Sequence, residues 1–197
     1  MFVKCKSAIM FLTGSIVVIG IGGCATERPS MGNAFAITSS TFQDGTMLAV
    51  KNAGNIKDNP NCIGENVSPP FAWSNVPAGT KSFALIMVDP EGRGGLGVDH
   101  WNAYGIPASR TGFAEGETSQ LSDKYVGGKG TAGFGHYLGP CTPPGAGLHH
   151  YTFTLIATDL EPNALPAGLT RAELLAKLNG HTKGSAGIVG LFGRAKE

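Results

Sequence analysis

A chain of 197 residues, 42% apolar and 15% charged, has the length and balance of a single domain with an ordinary core. Its formal net charge of +1 excludes the strongly basic face that nucleic-acid binding demands. Thirty glycines favour turns and short strands over long helices.

The N-terminus reads as a processing segment. Lys4 and Lys6 precede an uncharged run from Ala8 to Gly23, shorter than the roughly 20 apolar residues of a spanning helix. It fits a secretory h-region. The sequence "IGGC" resembles the lipobox of bacterial lipoproteins, which implies cleavage before Cys24 and a diacylglycerol on its sulfur. The expected organisation is a signal peptide over residues 1–23, a lipidated tether over 24–33 and one domain over 34–197. Ala25, not aspartate, follows the cysteine, so the expected location is the outer membrane, facing the periplasm. The mature chain keeps 13 basic and 14 acidic side chains, and no block of like charge adds a second membrane-binding surface.

Two cysteines, Cys62 and Cys141, remain in an exported, oxidising compartment. Two cysteines allow one bridge; the alternative is a free catalytic thiol, which needs a partner base.

"AFAITSSTF" predicts a first strand over 34–42, with Phe35, Ile37 and Ser39 on one face. A proline-rich loop over 57–70 follows. "FAWS" predicts a short strand, and Ser82 to Val88 a strand apolar on both faces. "HWNAYGIP" and "HYTFTLIATDL" read as further strands, separated by a glycine-rich loop from 109 to 147. Thr170 and Glu173 form a capping box before "RAELLAKL", whose Leu174, Leu175 and Leu178 share a face up to the stop at Gly180. "AGIVGLFG" predicts a final strand. The class is mostly β with one or two peripheral helices.

Gly92, Gly94 and Gly97 spell G-x-G-x-x-G after a strand. The dinucleotide fingerprint requires a helix next, whereas "VDHWNAYGIP" is β-like, so no nucleotide cofactor is expected. No P-loop, zinc-protease or nucleophile-elbow pattern occurs.

Strand alternation puts His149 and Tyr151 on one face and His150 on the other. The same rule puts His100, Asn102 and Tyr104 together, opposite Trp101. Asp89 ends the buried strand. If these strands are neighbours, Asp89, His100, His149 and Tyr151 converge at one sheet end. Imidazole and phenol donors beside glycine-rich backbone suit an oxyanion. An aspartate beside two histidines would raise their pKa and keep them as donors.

At these residues the chain resembles the phosphatidylethanolamine-binding protein family, in its bacterial Raf-kinase-inhibitor-like branch. The matching stretches are "GENVSPPFAWSNVPAGTKSFALIMVDPEG", "HWNAYGIPA", "GPCTPPGAGLHHYTFTLIATD" and "NGHTKGSAGIVGLFGR", in that order. The resemblance implies an antiparallel β-sandwich with Greek-key connections and a small pocket for a phosphoryl or other anionic ligand. It implies ligand-binding roles for Asp89, His100, His149 and Tyr151, and a pocket wall from Gly139 to Gly145 that includes Pro140 and Pro143. It supports a Cys62–Cys141 bridge. Two departures stand out: "DPEGRGG" replaces the usual D-P-D-A-P, and His150 replaces arginine. The leading expectation is a binding module, anchored to the membrane by its lipid, able to act on a protein partner that the sequence does not identify. The rivals are a metal-assisted hydrolase using Asp89, His100 and His149, and a structural lipoprotein with a vestigial pocket.

Overall fold

The computed structural model describes residues 34–196. The expected signal segment 1–23, the lipidation site Cys24 and the tether 24–33 lie outside the described residues. Among the described residues, nine strands and two short α-helices follow in the order β1 (Ala36–Thr38), β2 (Thr46–Met47), β3 (Phe71–Ser74), β4 (Ser82–Asp89), α1 (Gly92–Gly95), β5 (Val98–Pro107), β6 (Gly112–Phe113), β7 (Val126–Gly127), β8 (His149–Thr158), α2 (Arg171–Leu178) and β9 (Thr182–Phe192). A 3-10 turn over Val50–Asn52 lies between β2 and β3.

The strands form a three-stranded sheet, β1-β3-β6, and a six-stranded sheet, β2-β9-β8-β4-β5-β7. Within the larger sheet the order β8-β4-β5-β7 is a Greek key, the fourth strand returning beside the first. The strand pairings are antiparallel except β2 with β9, which run parallel.

Strand β4 explains the architecture. Phe83, Leu85 and Met87 point into an aromatic core shared with Trp73 and Phe113 of the small sheet. Ala84 and Ile86 point the other way, against Leu174 and Leu178 of α2. A strand covered on both faces needs no polar alternation, which is why "FALIMV" is apolar throughout.

The capping box forms as expected. Glu173 N donates to the Thr170 hydroxyl, and Thr170 N donates to Glu173 Oε2 at 2.9 Å. Leu174 and Leu178 are buried, but Leu175 is 38% exposed. One residue is about 100° of helical rotation, and that carries Leu175 off the buried stripe.

The first strand is shorter than its apolar pattern suggested. Ser39 Oγ accepts from Thr41 N at 3.3 Å, and this local turn competes with the ladder after Thr38. The glycine-rich stretch contains two strand fragments, β6 and β7, which gain their pairing from β3 and β5. Residues 92–95 form a single helical turn interrupted by left-handed Arg93 and Gly94, and the chain re-enters a strand at Val98. No dinucleotide-type helix follows the glycines.

Thr170→Ala should lower the unfolding free energy by about 1 kcal/mol, the usual worth of an N-cap. The check is a shifted urea midpoint with an unchanged slope; an unmoved midpoint would show that the cap does not hold α2.

Candidate functional site

The site begins with a register slip. Met87 faces Trp101, but Val88 faces Asp99, so His100 is an extra residue on β5. A bulge of this kind re-aims a side chain. His100 therefore leaves the face of Asn102 and Tyr104, correcting the alternation expected from sequence. Tyr104 reaches Pro166 O at 2.6 Å and packs in the α2 layer. His100 instead stands edge-on to Tyr151, with ring centroids 5.1 Å apart, and its Nε2 lies 3.9 Å from Asp89 Oδ2.

Asp89 is 3% exposed, and a buried carboxylate needs partners. Gly92 N donates to Oδ1 at 2.9 Å, which folds the α1 turn back over the strand end. His149 Nδ1 donates to Oδ2 at 2.8 Å. That bond fixes the tautomer of His149 and leaves Nε2 as the nitrogen it can offer to a ligand. The Tyr151 and Thr142 hydroxyls are bonded at 2.8 Å. His150 faces outward, as alternation predicts, and Glu91 accepts from both its Nδ1 and its backbone N–H at 2.8 and 3.0 Å.

The far wall is braced from behind. Cys62 and Cys141 form a disulfide across 79 residues of sequence. Gly139 N donates to Asn66 Oδ1 at 2.9 Å, and Gly54 N donates to Pro140 O at 2.8 Å. A Cβ on Gly139 would collide with the Asn52 carbonyl oxygen, so only glycine lets the two backbones pass. Gly139 and Pro140 therefore support the wall without lining the cavity; Cys141, Thr142 and Pro143 line it.

The resulting cavity measures about 250 Å³. Asp89, His100, His149 and Tyr151 all line it, with Ile56, Val98 and Leu138 supplying apolar surface. Arg93 lines it too, on a backbone with φ 54°. It is the one lysine or arginine lining the cavity among the described residues, and no ion pair engages it there. The left-handed region is sparsely used by non-glycine residues and concentrates at functional sites. Sequence reasoning passed over Arg93 and Ile56, and placed Thr142 in the wall only as part of the Gly139–Gly145 stretch. Arg93 had one available signal, a lone cation in "EGRGG" next to Asp89.

The electrostatics differ from the expectation that both histidines are held as donors by the aspartate. Burial pushes the pKa of His100 below the ordinary histidine range, outweighing the Leu138 carbonyl and the Asp89 carboxylate, which act in the opposite sense. Its Nδ1–H is already committed to Leu138 O at 2.9 Å. Burial also raises the pKa of Tyr151, which keeps its phenol protonated. Burial disfavours the charged form of Glu91, but its hydrogen bonds from His150 prevail and hold its pKa low.

For metal chemistry the geometry gathers Asp89, Glu91 and His149, whose ligand-type atoms lie within 4.8 Å of one another. Glu91, not His100, completes that group. Asp89 and His149 are bonded to each other, and Glu91 is bonded to His150.

The model of the family described as phosphatidylethanolamine-binding protein matches residues 38–193. The chain belongs to that family. A protein of Methanothermobacter thermautotrophicus named UPF0098 protein is 36% identical over 148 residues, covering 74% of this chain and 95% of the relative. LppC of Mycobacterium tuberculosis, named as a lipoprotein, is 32% identical over 204 residues, covering 91% of this chain and 92% of its own. The crystal structure of Escherichia coli YbcL, titled a new member of the mammalian PEBP family, superposes with a TM-score of 0.72 at 30% identity. It covers 81% of this chain and 98% of YbcL.

The low pKa of His100 has a sign that can be measured. Below about pH 6.5 the unfolded chain takes up a proton that the folded chain refuses. Stability is therefore full above that pH and falls as the pH drops through it, by at most about 1.4 kcal/mol per pH unit from this residue. Urea midpoints between pH 7.5 and 5 should decline, and His100→Gln should flatten the decline. Parallel declines in the two proteins would contradict the assignment.

Proposed function

We propose that this family member is a lipid-anchored binding module of the cell envelope whose pocket takes a phosphoryl or related anionic group. The observation that carries the reading is the cavity at the convergent strand ends, with Arg93, which has no ion pair among the described residues, at its margin and a hydroxyl pair inside. A guanidinium offers planar, charge-assisted donors to a phosphoryl oxygen. The braced wall lowers the ordering cost of binding, because little of it has to be fixed when a ligand arrives. Thr142 is held by Tyr151 and Cys141 by its disulfide, so the wall already has a defined shape.

Anchoring through Cys24 is supported by the charged start, the uncharged run and the "IGGC" sequence, and by the likeness to a relative named as a lipoprotein. In that setting the domain faces the periplasm from the outer membrane. Its action is binding, including on a protein partner, rather than bond cleavage. Support for this comes from the pocket's polar groups, which pair with one another: Asp89 holds His149, and His100 is tied to a backbone carbonyl.

Titrating phosphoethanolamine and inorganic phosphate into the protein should move the imidazole resonances of His100 and His149. Arg93→Ala should weaken that binding about tenfold, equivalent to one charge-assisted hydrogen bond. Unmoved resonances at millimolar ligand would remove the proposal.

A further inference from the structure

We propose that the open edge of β9 between Ser185 and Gly187 receives an extended segment of a protein partner as an added strand. The inference rests on the protein-partner part of the reading above and gives that partner a surface apart from the cavity.

Strand β9 is the longest of the fold at 11 residues, yet β2 pairs with it only at Gly190 and Leu191. Its other flank is engaged by β8 along its length. In a ladder the N–H and C=O of one residue point to the same side, and successive residues point to opposite sides. Val189 sets the phase. Its N–H donates to Asp44 Oδ1 at 2.8 Å and its C=O accepts from Gly45 N at 2.8 Å, both away from β8. Leu191 O likewise accepts from Leu48 N at 2.8 Å. By the same phase Gly187 and Ser185 turn their N–H and C=O groups outward, and among the described residues nothing bonds them there. Both residues are exposed. Such a row of free main-chain groups is a template for another strand.

The side chains of an added strand would alternate between the two faces of the sheet. On the core side, a hollow of about 270 Å³ lies between Ile37, Phe42 and Ile188 and reaches Gly187. On the outer side, a hollow of about 250 Å³ is lined by Thr154, Ile156 and Ser185. The pair fits a segment with apolar side chains on one face and small hydroxyl side chains on the other. A Cβ on Gly187 would meet nothing closer than Phe153 O at 3.5 Å, an ordinary contact. Packing within the fold does not demand glycine there, and a bare strand position lets a second backbone approach.

The edge is bounded, which decides the occupant. Asp44 and Gly45 close it at Val189. At the other end the ladder slips between Ala157 and Thr158, and Pro77 crowds the space beside Gly184. The 11-residue β9 of a second copy, laid along this edge, would run into Asp44 and Gly45. A short chain end or loop tip of another protein fits between the two bounds. Phe192, which pairs with His149 at the cavity, is about 17 Å farther along β9 at roughly 3.4 Å per residue.

Amide-exchange NMR tests this with an acetylated five-residue peptide that alternates valine and threonine. Without peptide, Ser185 and Gly187 should exchange freely, while Ala186 and Ile188, turned toward β8, are protected. Millimolar peptide should slow Ser185 and Gly187 about threefold or more, the effect of covering two-thirds of the edges. The same peptide N-methylated at alternate positions cannot donate and should slow neither. Gly187→Pro removes one outward N–H and should abolish the slowing at Ser185, with Ile188 still protected as proof of an intact ladder. No slowing with millimolar peptide would overturn the inference, and so would equal slowing by the N-methylated peptide. Protection that grows with protein concentration alone would overturn it in favour of a second copy. If the peptide moves the His100 and His149 resonances and leaves Ser185 and Gly187 unchanged, the partner binds at the cavity and this inference fails. The phosphate titration of the cavity is independent of these outcomes, so either reading can fail alone.

Discussion

A buried carboxylate holds the pocket together. Asp89 ends the most enclosed strand of the fold, where an unpaired charge would cost several kcal/mol. It is kept there by one backbone N–H from its own turn and one imidazole N–H from the neighbouring strand. Those two bonds fix the α1 turn above β4 and the His149 ring on β8. The turn in turn carries Arg93 to the cavity margin. Removing one partner would leave the other exposed to the same desolvation cost, so the three elements stand or fall as a unit.

A second constraint is the irregularity of β5. Its bulge at His100 brings an imidazole to the cavity that regular pairing would have sent toward α2. A second slip, between Phe83 and Leu85, coincides with Gly105 at φ +60°, packed so closely on Pro162 that a side chain has no room. Core strand and site strand are thus one element, regular where it packs Trp101 and Ala103 and irregular where it serves the pocket. The wall opposite has no regular structure, and its shape comes from a disulfide, a buried asparagine and a glycine pressed against backbone.

Much of this was legible in the sequence because it follows from local chemistry. The double-faced apolar run of β4, the Thr170–Glu173 cap and the alternation of His149, His150 and Tyr151 all depend on residues near one another in the chain. The convergence of Asp89 with His149 was legible only through the order of several separated motifs. The motif of His100 points to the site, but alternation alone puts the ring on the wrong face, because the bulge arises from pairing with β4 and leaves no local trace. Leu175 falls outside the buried stripe because that stripe is narrower than three leucines suggest. Gly139 and Pro140 belong to the wall motif yet brace it from behind instead of lining the cavity, which only the Asn52 and Gly54 backbones reveal. The β6 and β7 fragments owe their existence to partners far along the chain.

The acceptors beside Nδ1, the Leu138 carbonyl for His100 and the Asp89 carboxylate for His149, call for a proton on that nitrogen in both rings, and burial disfavours a charge on His100. Long-range proton–nitrogen correlation spectra of the ligand-free protein at pH 7 test it most directly. The expected result is the Nδ1–H tautomer for His100, with a protonated Nδ1 on His149, and no charging of His100 until the pH is well below about 6.5, the ordinary histidine value. A proton on His100 Nε2, or a cationic His100 at neutral pH, would contradict it.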